Sequence, residues 1–133
     1  GAACLEENLA RLVHASGGRR PEIVLGVLGQ TRAAAIVSTA ARYAGALHFV
    51  VVPHQPRAST FEELEACVPR DFTGEIHRAT LDELFPAPRT CTIGERGGTI
   101  VVTGSIYLLG EAIDRMLHDV RANQGPLQDG AVP

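Results

Sequence analysis

Three short runs constrain this chain most: EIVLGVL (22–28), LHFVVVP (47–53) and TIVVTG (99–104) are nearly continuous in apolar residues, many of them β-branched. A strand with one wet face alternates apolar and polar side chains. Unbroken apolarity over so short a run therefore predicts strands buried on both faces, as in a parallel sheet covered by helices. The segments between the runs are long enough to serve as crossover connections. The expected fold is α/β: a small Rossmann-like, mostly parallel sheet with helices on both faces.

The helical segments are read from spacing and caps. LEENLARLVHA places Leu5, Leu9, Leu12 and Val13 at helical intervals, and Gly17, Gly18 and Pro21 end that element. AAAIVSTAARYAGA predicts a small-residue helix packed close to the sheet through Ile36, Val37, Ala40, Ala41 and Ala44. In TFEELEACV, Thr60 is the expected N-cap with Glu63 at the capping-box position, and TLDELFP repeats the pattern with Thr80 and Glu83. EIHRA is a weaker strand candidate, and APRTCTIGERGG lacks a period. After the last strand, Ile106, Leu109, Ala112, Ile113, Met116, Leu117 and Val120 draw an apolar stripe along a closing helix. The chain opens on a helix with no strand before it, so the first strand of such a sheet either lies outside this chain or has been lost.

A length of 133 residues suits one domain with a true core. The expected boundaries are residues 1–122 for the α/β domain and 123–133 for a flexible tail. A composition 45% hydrophobic with no Trp implies an aliphatic core. The net charge of −3, with all 12 basic residues arginine, gives no electrostatic case for a nucleic-acid partner. Cys4, Cys67 and Cys91 are odd in number and widely spaced, which fits reduced intracellular thiols better than a disulfide framework. No run approaches membrane-spanning length and no secretory leader is evident, so a cytoplasmic setting without a membrane partner is expected.

Ligands of open parallel sheets bind beyond the carboxyl ends of the strands, here the loops at Gly29–Arg32, Pro53–Thr60 and Gly104–Ser105. At Gly104 the missing side chain lets a ligand or another backbone come close, while Ser105 can cap the last helix and expose a hydroxyl. Arg57 can offer a forked donor to a carboxylate or phosphate, with a solvated loop arginine as the plainer reading, and His54 can hydrogen-bond a ligand, with a structural or exposed histidine as the plainer reading. Thr31 and Arg32 are the candidate cofactor-binding pair; a capping threonine and a surface arginine are the plainer reading. There is no GxxxxGKS/T or GxGxxG, and GERGGT leads into a strand rather than a helix. The five histidines form no HExxH or close ligand set, so no metal site is expected, and no residue is assigned a catalytic role.

The blocks LGVLGQTRAAAI, VVPHQPRASTFEELEACV and IVVTGSIYLLGEAIDRML, in that order, resemble the C-terminal domain of the folylpolyglutamate synthase and dihydrofolate synthase family within the Mur-ligase-like group. The resemblance spans most of Leu25–Leu117. It implies a Rossmann-like domain working beside an N-terminal P-loop domain. The family's enzymes use ATP and Mg2+ to activate a folate or pteroate carboxylate as an acyl phosphate, which the amino group of glutamate attacks. By this resemblance Gly104 and Ser105 lie near the glutamate site, with Arg57 on the loop facing the interdomain cleft.

Departures from the family pattern limit the expectation. Where the family reads DGAHNP, this chain has Gly1 and Ala2 followed by Ala3 and Cys4; where it often reads DKD, this chain has Gln30, Thr31 and Arg32. The expected function is that of a C-terminal domain or fragment of a folylpolyglutamate-synthase-like ligase, inactive as an isolated chain and holding no cofactor tightly. The alternative is a diverged, noncatalytic domain that binds a small acid or another protein. A groove left by an absent neighbour also gives a reason for self-association.

Overall fold

The computed structural model describes residues 2–94 and 98–118. Its element order is α1 (Ala2–Ala15), β1 (Glu22–Gly26), α2 (Gln30–Tyr43), β2 (Ala46–Val50), α3 (Phe61–Ala66), β3 (Glu75–Ala79), α4 (Leu81–Leu84), β4 (Ile100–Gly104) and α5 (Ile106–Leu117). The strands form one parallel sheet in the order β3-β2-β1-β4. From β1 the chain steps outward to β2 and β3, then returns past its starting strand to β4. Right-handed crossovers require helices on opposite faces for opposite directions of travel. Accordingly α1, α2 and α3 pack on one face and α4 and α5 on the other.

Alternate strand residues supply the two cores. Ile23, Leu25, Leu47 and Phe49 face α2 and join Val37, Ala40, Leu64 and Leu9. Val24 and Val50 face the other way, against Leu81, Leu84, Leu108 and Ala112. The central strands β1 and β2 are buried almost throughout, as their unbroken apolarity implies, while β3 is exposed over most of its length at the rim. The close fit of α2 on the sheet follows from its alanines: Ala33, Ala40 and Ala41 are all buried. On α1, only Leu9 is buried, and Glu6 ties the helix to α2 by accepting from Tyr43 Oη at 3.2 Å and pairing with Arg42 at 2.8 Å.

Two expectations are corrected. Gln30, Thr31 and Arg32 are not loop residues: α2 starts at Gln30, and its N-cap is Gly29 at φ 83°, so Thr31 is not the cap. The helix begins early because the Gly29 amide is held by Arg57 O at 3.1 Å, which fixes the chain direction before the alanine run. The stripe on α5 also has a different buried face. Leu108 and Ala112 are buried, whereas Ile106, Ile113 and Leu117 are 76%, 56% and 66% exposed. Because β4 is the edge strand, the sheet covers only one side of the stripe. Val120 and the tail 123–133 lie outside the described residues.

Candidate functional site

The strand order reverses between β1 and β4, and ligands of open α/β sheets bind at such a switch point beyond the carboxyl ends of the strands. The rim there is built from the β1–α2 turn, the β4–α5 turn and the loop following β2. All six sequence-predicted residues, Gly104, Ser105, Arg57, His54, Thr31 and Arg32, fall at this end of the sheet.

Gly104 is there for packing. A Cβ on it would stand 2.1 Å from Gly26 O, and its φ of 125° is one that side chains rarely adopt. The close neighbour is therefore the backbone of β1, not a ligand. Ser105 continues the same contact: its amide donates to Gly26 O at 2.9 Å, and its Oγ accepts from Tyr107 N at 3.0 Å. The residue is 4% exposed, so its hydroxyl is a buried cap rather than the exposed group anticipated. What the β4–α5 turn presents outward is the amino end of α5.

The loop after β2 is latched to the β1–α2 turn. Besides the bond from Gly29 N to Arg57 O, Ser59 N donates to Val27 O at 2.9 Å, and Leu28 and Ala58 form an antiparallel bridge. Ser59 is buried, and its Oγ reaches Gly29 O at 3.4 Å. These contacts place the Arg57 side chain over the start of α2: its Nη2 lies 3.7 Å from where a Cβ on Gly29 would be. His54 is exposed on the same loop in a left-handed conformation, φ 60°. Among the described residues, the side chains of His54, Arg57, Thr31 and Arg32 show no hydrogen bond or ion pair. By contrast Arg11, Arg42, Arg78 and Arg115 are each paired with a carboxylate.

The amino ends of α2 and α5 differ in charge from those of α3 and α4, while α1 shares their lack of a first-turn acid. Neither α2 nor α5 has an acidic residue in its first turn, whereas α3 opens with Glu62 and Glu63 and α4 with Asp82 and Glu83. A helix amino end carries roughly half a positive charge, which first-turn acids normally offset. The amino end of α2 also lacks a side-chain cap, since Gly29 has none to give. The carboxylate that contacts this first turn, that of Glu63, is already engaged. Glu63 accepts from Thr60 N at 2.8 Å and also from Gln30 Nε2. The Thr60 amide first, and Gln30 after it, hold its carboxyl below the usual range.

Other polar features lie elsewhere. A cavity of about 620 Å³ opens at the opposite end of the strands, lined by Arg20, Arg42, Gly45, Asp71 and Gly74. Its arginines have structural partners: Arg20 Nη1 donates to Arg42 O at 2.8 Å near the carboxyl end of α2, and Arg42 pairs with Glu6. On the α5 face of the sheet, His48 is buried against Glu22 at 2.8 Å and stacks on His77 with ring centroids 4.9 Å apart; His77 pairs with Glu75. Sequence reading missed this row because only the registers Val24↔His48↔His77 and Glu22↔Ala46↔Glu75 align it. It also missed Ser59, whose one signal is its place just before the Thr60 cap.

Among the described residues no group of His, Cys, Asp and Glu could hold a metal ion, and no helix is long and apolar enough to cross a membrane. The donors of the rim suit a phosphate or carboxylate; with Glu63 engaged, they do not suit Mg2+. No family model, curated protein or solved structure matches this chain.

Proposed function

We propose that this chain is a C-terminal-type domain of an ATP-dependent, folylpolyglutamate-synthase-like ligase, and that its switch-point rim receives an anionic group of that reaction. The candidates are a carboxylate of glutamate and a phosphate of the nucleotide. One observation carries the reading: the amino ends of α2 and α5 meet at the strand-order reversal with no first-turn acid, beside Arg57 and Arg32, which have no carboxylate partner among the described residues. Backbone amides at a helix start and forked guanidinium donors are the groups that bind carboxylates and phosphates. The resemblance in the blocks around Arg57 and Ser105 supplies the reaction class. Attack of the glutamate amino group on the acyl phosphate, which forms the amide and releases inorganic phosphate, would take place between this domain and a P-loop domain carrying the phosphate-activating machinery and Mg2+. The proposed setting is the cytoplasm, consistent with the free thiols of Cys4, Cys67 and Cys91.

In this reading each group at the rim has a separate task. Ser105 fixes the direction of α5 so that its amino end faces the crevice. Ser59 and the Gly29–Arg57 bond keep Arg57 beside α2. Arg32 adds a second positive group one helical step into α2.

A noncatalytic acid-binding domain is the second reading, favoured by the first turn of α2. The resembled family often carries DKD in this loop, but here Gln30, Thr31 and Arg32 make the turn basic and leave no carboxylate for a metal-bound nucleotide. The two readings separate when the chain is joined to the P-loop domain of a folylpolyglutamate synthase and assayed for glutamyl amide formation. Product formation that falls on Arg57→Ala supports the ligase. Glutamate binding to the isolated chain without product from the joined protein supports the acid-binding domain.

A further inference from the structure

We draw no further inference here: the strongest candidate, the outer edge of β4, unpaired among the described residues, and the apolar groove of about 340 Å³ beside it, lined by Cys91, Ile100, Val102, Ile113 and Leu117, carries nothing in the structure that shows what covers it.

Discussion

Two glycines show how far one residue type can differ in consequence. Gly104→Ala would drive a methyl group into Gly26 O at a positive φ, where the obstacle is backbone and cannot rotate away. We predict a loss of about 3 kcal/mol or more in denaturant unfolding, in line with steric and strained-backbone substitutions. Gly110 lies within α5 with nothing within 4 Å of an added Cβ. Gly110→Ala should therefore stabilise by about 0.5–1 kcal/mol, the helix-propensity gain; a loss of stability would contradict the open space beside Gly110. Ser105→Ala removes the acceptor for Tyr107 N and is expected to cost about 1 kcal/mol. The role of Ser105 as a cap was legible in the sequence because capping depends on adjacent residues. Its burial was not, since that depends on β1 lying against β4. The same distinction applies to His48, whose partner Glu22 comes from a strand 26 residues away.

At the scale of elements, signals confined to a few neighbours were legible and those needing a second element were not. Both capping boxes form as their spacing implies, at Thr60 with Glu63 and at Thr80 with Glu83. The start of α2 was misplaced because a polar Gln-Thr-Arg triplet reads as loop until the Arg57 carbonyl anchors Gly29. Periodicity on α5 gave the width of the apolar stripe but not which part the sheet covers. This yields a contrast: Leu108→Ala should cost about 2–4 kcal/mol as a buried truncation, while Ile113→Ser and Leu117→Ser should each shift stability by less than about 0.5 kcal/mol. Equal costs at the three positions would show that the exposed side is covered. Acid should loosen α3 first. Glu63 is held low by the Thr60 amide and Gln30, and Glu65 by the Arg78 guanidinium. Groups with depressed folded values contribute stability above their unfolded pKa and lose it as pH falls through the folded value, so this contribution fades below about pH 4. Amide exchange of α3 followed against pH tests this, and the acid response should shrink in Glu63→Gln.

For the whole molecule, the parallel sheet with helices on both faces followed from apolar runs alternating with helical segments, and the strand-order reversal placed the candidate rim. That Gly104 and Ser105 are packing and capping residues moves the proposed ligand contacts outward, to the amino ends of α2 and α5 and to Arg57 and Arg32. Because the sequence carries no P-loop motif, the 133-residue chain alone should form no glutamyl amide from ATP, folate and glutamate; product from the purified chain would overturn the module reading. The most direct test of the central claim is amide chemical-shift mapping of the labelled chain titrated with glutamate and, separately, with ATP. The predicted result is a saturable response at Gly29–Arg32, Arg57 and Ile106–Tyr107, weakened about tenfold by Arg57→Ala, as expected for losing one charge-assisted hydrogen bond. A response absent from that rim, or concentrated at the opposite end around Arg20, Gly45 and Gly74, would contradict it.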